Sequence, residues 1–143
     1  MAIWFKDYTL EEIKPSNEVA MLEHLNITLD ELGEDYLVGS MPVDPRTHQP
    51  LGLLHGGASC VLAESLGSIG ANLILDPQNA FAVGLDINAN HMRAVRSGRV
   101  KGIAKPLHVG RSTQVWEIKL YDEQERLAVV SRLTMAVRQH QWT

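Results

Sequence analysis

Residues 56–75, GGASCVLAESLGSIGANLIL, form an apolar stretch with a single formally charged side chain, Glu64. Its alanines and leucines favour a helix, and turn residues bracket it, Pro50 before and Asp76-Pro77 after. At 1.5 Å per residue such a helix spans about 30 Å, the width of a small domain. A rotation of about 100° per residue lines up Ala58, Leu62, Leu66, Ile69 and Leu73 as a core-facing stripe. Cys60, Glu64, Gly67, Ser68 and Ala71 fall opposite. That side carries no solvated charge pattern. The spacing therefore predicts a helix covered on both sides, with small residues where backbone or ligand approaches closely. Glu64 then sits in a costly place, since a buried charge costs several kcal/mol unless paired or hydrogen-bonded. Two readings follow: a functional carboxylate, or one that pairs with an arginine or reaches a solvent gap.

The 143 residues suffice for one domain with a real core, spanning 1–143, and are too few for two. The one cysteine, Cys60, excludes an intrachain disulfide, so a reducing cytoplasm is the expected location. The opening MAIWFKDYTLEEIK lacks the basic start and apolar run of a signal peptide. The apolar stretch has roughly membrane length, but four glycines, three serines and a glutamate make a poor span, and no membrane partner is expected. A formal net charge of −4 disfavours nucleic acid as a partner. That charge is unevenly spread. No acid occurs between Asp86 and Glu117, an interval that holds six of the thirteen Lys and Arg residues: Arg93, Arg96, Arg99, Lys101, Lys105 and Arg111, with His91 and His108. Such a block predicts a focused positive potential for an anionic partner. The competing reading is a solvated sheet edge, where cations guard against aggregation.

Near the start, Thr9 and Glu12 have the spacing of a capping box. Pro15 is expected to stop that helix, and Ser16 or Asn17 to cap a second turn through Val19, Met21 and Leu22. Trp4 and Phe5 are expected to pack, and residues 1–25 carry no obvious chemistry. Residues 26–43 read as two strands around a Gly33-Glu34-Asp35 turn, and residues 42–54 as a loop rich in Pro and Gly. Beyond the helix, alternating runs at 81–90, 99–107, 112–121 and 127–137 predict four strands. Short connections make them an antiparallel meander. The expected class is α+β. One small sheet cannot cover such a helix on all sides, so an isologous partner subunit is expected to close the far side.

This order of elements, with His55-Gly56-Gly57 opening the central helix, resembles the hotdog fold, an antiparallel sheet wrapped around one long helix. The segments MPVDPRTHQPLGLLHGGASCVLAES, GLDINANHMRAVRSGRVKGIAKPLHVG and QVWEIKLYDEQERL resemble the PaaI-type acyl-CoA thioesterases, in the branch of the Arthrobacter-type 4-hydroxybenzoyl-CoA thioesterases. They are most similar to the small bacterial hydrolases of the menaquinone and enterobactin pathways. The resemblance covers about residues 25–137. It implies hydrolysis of an acyl-CoA or aroyl-CoA thioester, with no metal and no cofactor beyond the CoA of the substrate. It implies Glu64 as the catalytic carboxylate, acting as nucleophile or as general base on water. Gly56 resembles the residue whose backbone N–H polarises the carbonyl, and Gln49 the side chain that assists there. His55 resembles the neighbour that positions the water or the leaving sulfur, and Ser68 the hydroxyl one turn beyond the carboxylate. For the CoA site the resemblance implies Gly84, His91, Met92, Arg93 and Ala94, and the loop of His108, Val109, Gly110, Arg111, Ser112 and Thr113. A homodimer is expected, with two dimers associating as a homotetramer. Residues 76–80 match no motif of the family.

A thioester is activated toward attack, so a carboxylate and an oxyanion site can suffice. The free N–H groups of a helix N-terminus supply such a site, helped by the macrodipole. Glu64 lies eight residues beyond Gly56, about 12 Å along the axis, too far to serve the same carbonyl within one helix. Glu64 is therefore expected to meet Gly56 of the partner subunit across antiparallel helices, which makes the dimer a catalytic requirement. Other catalysts fit less well. Ser59 lacks the second glycine of a nucleophile elbow, and a buried Cys60 is usually inert. His48 and His55 lack metal-ligand spacing, and the glycines do not form a P-loop. Two alternatives stay open: a non-catalytic acyl-CoA-binding module on this fold, and a hotdog dehydratase using His55 with Glu64.

Overall fold

The computed structural model describes residues 1–141. Trp142 and Thr143, the last residues of the domain expected over 1–143, lie outside the described residues. The chain begins with two short helices, α1 (Leu10–Asn17) and α2 (Met21–His24), followed by strands β1 (Thr28–Leu32) and β2 (Leu37–Pro42). The long helix α3 (Gly56–Ile74) follows, then β3 (Ala80–His91), β4 (Arg99–Val109), β5 (Thr113–Tyr121) and β6 (Leu127–Gln139). Six strands form one sheet in the order β1-β2-β4-β5-β6-β3, antiparallel at every pairing. One long helix lies across one face of that sheet, which is the expected hotdog arrangement.

The strand order corrects the expected four-stranded meander. Only β4, β5 and β6 follow one another; β3 pairs with β6 at the sheet's edge, and β4 pairs with β2. The Ser97-Gly98 turn marks where β4 starts, but a local turn does not choose a strand's neighbour. Gly98 has φ of +79°, the left-handed region that favours glycine, and its carbonyl accepts Val43 N–H at 2.8 Å. The turn thereby belongs to the end of β2.

Helix and sheet meet through a few close approaches. Gly39 on β2 and Gly102 on β4 are register partners. A Cβ on either would lie within 2.5 or 2.7 Å of a Leu66 methyl, so the glycine pair forms the seat for that side chain. Gly67 and Ala71, expected opposite the core, are buried against the sheet. A Cβ on Gly67 would lie 2.6 Å from Leu133, and Ala71 O accepts Nε2 of the buried Gln114 at 3.2 Å. Their small size serves close helix–sheet packing rather than ligand approach. Trp116 is fully buried beneath Gly70 and stacks on Trp4 with ring centroids 6.5 Å apart. Phe5, expected to pack, is 49% exposed.

The Thr9–Glu12 capping box forms in both directions. Pro15 does not stop α1, which runs two residues further to Asn17. A proline inside a helix removes one hydrogen bond, and here only the last turn remains to tolerate it.

Candidate active site

The loop before α3 aims the helix N-terminus. Thr47 is buried; its hydroxyl donates to Pro42 O at 2.8 Å, and its carbonyl accepts His55 N–H at 2.7 Å. Leu54 N–H donates to Val95 O at 2.8 Å, and His48 Nε2 lies 3.1 Å from Arg96 O. These bonds lace the loop to the connection after β3. His55 is the N-cap of α3, its Nδ1 accepting Gly57 N–H at 2.8 Å. An Nδ1 that accepts leaves the ring proton of a neutral imidazole on Nε2. Gly56 N–H stands in the first turn, where the helix offers no acceptor. A Cβ on Gly56 would lie 3.1 Å from His91 Nε2, so the His91 ring covers the first helical residue.

A cavity of about 340 Å³ opens here, lined by Gln49, Gly56, His91, Met92, Arg93 and Ala94. Leu53, Leu54, Ser59 and Val129 complete its wall, residues to which no role is assigned above. Gln49 Oε1 accepts Leu51 N–H, so the amide NH₂ is the group left to donate.

Glu64 and Ser68 line a different cavity, of about 520 Å³, between α3 and the N-terminal helices. The Glu64 carboxylate lies over β3, where a Cβ on Gly84 would come within 3.0 Å of Oε2. Gly84 thus admits the carboxylate. Glu64 is exposed in the single chain and has no salt bridge among the described residues, so neither full cover nor an arginine partner is present. Cys60, one turn away, has its thiol pushed up by burial and further by the Glu64 charge, so it stays protonated near neutral pH.

One chain does not unite the two predicted CoA segments. His91 pairs with Val129, and Thr113 with Ala136. Those β6 positions are seven residues apart, about 23 Å along a strand. His108, Val109, Gly110, Arg111 and Ser112 lie with Thr113 at that far end, where Gly110 N–H donates to Thr113 O at 2.8 Å and Val137 N–H to Ser112 O at 2.9 Å. Nor is the basic block one patch. Arg99 turns inward to Asn26 O at 3.0 Å, and to Ser40 Oγ and Thr28 Oγ1, both at 3.2 Å. Lys105 pairs with Asp35 at 3.1 Å. Acids absent from the interval in sequence return in space.

Residues 51–129 match the family described as the thioesterase superfamily, more than half of the chain. The chain belongs to the thioesterase superfamily. Its curated relatives include the 1,4-dihydroxy-2-naphthoyl-CoA hydrolase of Escherichia coli, 50% identical over 94% of this chain and 98% of that protein. The proofreading thioesterase EntH of Cronobacter sakazakii is also 50% identical, with the same coverage of 94% and 98%. Among solved structures, a thioesterase from Haemophilus influenzae superposes with a TM-score of 0.91 at 46% identity, covering 96% of this chain and 95% of that one. A mutant thioesterase from Pseudomonas aeruginosa gives 0.94 at 45% identity, covering 97% and 100%.

In this thioesterase the feature that sequence reasoning missed is the N-terminal segment. Asn17, Val19, Ala20, Met21 and Leu22 wall the Glu64 cavity, although residues 1–25 carry no obvious chemistry in sequence. No sequence signal marked them; only the structure shows Val19 and Met21 to be 45% and 58% exposed. Apolar side chains left uncovered on and just before the short helix α2 suit a ligand wall better than a core.

Proposed function

We propose that this thioesterase hydrolyses an acyl-CoA or aroyl-CoA thioester to the free acid and CoA, at a site completed by a second copy of the chain. The observation that carries this reading is the division of the site into two halves. Gly56, Gln49 and His55 surround a helix N-terminus, while Glu64 and Ser68 sit in another cavity. The sheet ends on β3, an edge strand paired with β6 on one side and, among the described residues, with no strand on the other, where Val83 and Leu85 are 44% and 58% exposed. Such an edge is a template for pairing with another chain. Antiparallel pairing of two β3 strands about a twofold axis would bring Glu64 of one subunit toward Gly56 of the partner subunit. It would also move the hairpin at 108–113 toward the other subunit's His91 end, so that Arg93 and Arg111 serve one CoA. Two dimers associate as a homotetramer, and the enzyme acts in the cytoplasm without a metal or separate cofactor. The names of the Escherichia coli and Cronobacter relatives support a thioester substrate, and the former a CoA thioester.

The chemistry needs two moves. Glu64 attacks the thioester carbonyl, forming an acyl–glutamyl anhydride and releasing CoA thiolate, and water then hydrolyses the anhydride. Alternatively, Glu64 takes a proton from water, which attacks directly and expels the same thiolate. In either route the negative oxygen of the tetrahedral intermediate accepts from Gly56 N–H at the helix N-terminus, with the Gln49 NH₂ assisting. His55 Nε2–H faces outward to protonate the leaving sulfur or position water, and Ser68 orients the carboxylate.

The test is Glu64→Gln, which keeps size and removes the charge. Free-thiol release from benzoyl-CoA is expected to fall by at least about a hundredfold, the scale of losing a general base or nucleophile. Binding of the CoA substrate, measured by calorimetry, is expected to persist. Near-normal turnover would sink the assignment. No turnover by the parent protein, with tight CoA binding, would make it a binding module.

A further inference from the structure

Ser59 follows Gly56 by three residues on α3 and lines the same cavity of about 340 Å³. It is 1% exposed, and nothing in the proposed chemistry uses it. A serine inside a helix can satisfy its hydroxyl on the carbonyl four residues before it. That carbonyl is His55 O, which accepts the Ser59 backbone N–H at 3.1 Å and not the hydroxyl. The Ser59 hydroxyl makes no hydrogen bond to any other group among the described residues. No sealed side-chain oxygen or nitrogen among those residues lacks a partner, so Ser59 Oγ is not sealed and opens to the cavity. A buried hydroxyl left without a partner opposes folding, so this one calls for a partner from outside the chain.

The helix identifies that partner. Residues three apart share a helix face, with about 5–6 Å between their side-chain positions. Helical side chains lean toward the N-terminus, so Ser59 Oγ and the free Gly56 N–H converge on one point. A single oxygen accepting two hydrogen bonds of about 2.8 Å bridges such a gap. The His91 ring closes one flank, since a Cβ on Gly56 would lie 3.1 Å from its Nε2. Leu54 and Val129 add apolar wall, which keeps bulk water from competing for a donor placed there.

We propose that Ser59 is a further catalytic residue of this thioesterase, its hydroxyl donating, beside Gly56 N–H, to the thioester carbonyl oxygen. This rests on the thioesterase reading of the site. The hydroxyl keeps its proton throughout. Its hydrogen bond tightens as the carbonyl becomes a tetrahedral oxyanion, and relaxes when the thiolate leaves and the carbonyl reforms.

The test is Ser59→Ala, with free-thiol release from benzoyl-CoA and a thermal melt measured on the same preparations. The kcat is expected to fall about a hundredfold, the scale of losing one oxyanion donor, with KM unchanged. The melting temperature is expected to equal or exceed that of the parent, because no bond within the chain is lost. A serine with a purely structural purpose would do the reverse, lowering the melting temperature and sparing kcat. An unchanged kcat, or a melt clearly below the parent's, overturns the proposal. A second substrate locates the hydrogen bond: the analogue of benzoyl-CoA with sulfur in place of the carbonyl oxygen. Sulfur is a weak acceptor, so Ser59→Ala is expected to cost this analogue much less than benzoyl-CoA. An equal loss on both substrates would mean that the hydroxyl serves another atom, and overturns the assignment. Glu64-dependent hydrolysis that survives Ser59→Ala sinks this inference alone, whereas no hydrolysis by the parent protein sinks the proposed function with it.

Discussion

At the scale of single residues, the identity of a side chain is set by what lies a few ångströms away. A Cβ on Gly70 would come within 2.7 Å of the Trp116 ring, itself fully buried and held by its Nε1–H to Gln114 Oε1 at 2.9 Å. The ring cannot retreat without breaking that bond and the stack on Trp4. Gly70→Ala is therefore expected to destabilise the fold by about 1–3 kcal/mol, the cost of overpacking a core, despite alanine's better helix propensity. A denaturant titration checks it; a variant as stable as its parent would show that α3 shifts freely on the sheet. Arg93 is different in kind, an exposed cation at the mouth of the Gln49 cavity. Arg93→Ala is expected to weaken CoA binding several-fold at low salt and less at high salt, because exposed charge interactions are screened. Equal affinity for both proteins at low ionic strength would remove Arg93 from the CoA site.

At the scale of elements, caps and turns decide where walls stand. Thr9→Ala removes the acceptor of Glu12 N–H and should cost about 1 kcal/mol. Because α1 ends in Ser16 and Asn17, which line the Glu64 cavity, the same change is expected to lower Glu64-dependent turnover in a thiol-release assay. The β5–β6 turn is built on Asp122, a buried carboxylate that accepts Gln124 N–H, Arg126 N–H and Arg126 Nε–H at 2.8–3.0 Å. The Arg126 backbone N–H, first among these, holds its pKa below the ordinary value. A carboxylate whose folded pKa is depressed stabilises the fold above its unfolded pKa and loses that contribution as pH falls through the folded one. Asp122→Asn should therefore melt a few degrees below the parent at neutral pH, and the two should converge in acid. A constant gap down to low pH would show that the turn draws nothing from the charge.

For the whole molecule, the governing fact is an edge strand with one free side, next to a divided site. Leu85→Arg, placed on the exposed middle of β3, is expected to give a folded monomer by sedimentation and to abolish hydrolysis. An active monomer would mean that each chain carries a complete site. The elements themselves were legible: α3 to within one residue of its Gly56–Ile74 span, the strands to within a few residues, and the capping box of α1. Glu64 was legible as the lone charge on an apolar helix. The N-terminal wall was not, because Val19, Met21 and Leu22 have the composition of any small helix packing on a core. Their purpose depends on what they leave uncovered.

Periodicity and turn chemistry are local, and they suffice to place the helix, the strands and the helix N-terminus at Gly56. They also suffice, with the lone carboxylate, to nominate Glu64. Strand order is not local. β3 leaves α3 and joins β6 rather than β4, a pairing between distant segments that no local turn specifies. The same folding scatters the basic block, turning Arg99 inward and pairing Lys105 with Asp35. It also places Glu64 and Gly56 in separate cavities, since a rigid helix keeps two residues eight apart about 12 Å from each other along its axis. The chemistry of this thioesterase is thus written in its residues, the Gly56–Glu64 separation is fixed by the helix, and the neighbours each residue meets are set by the tertiary structure.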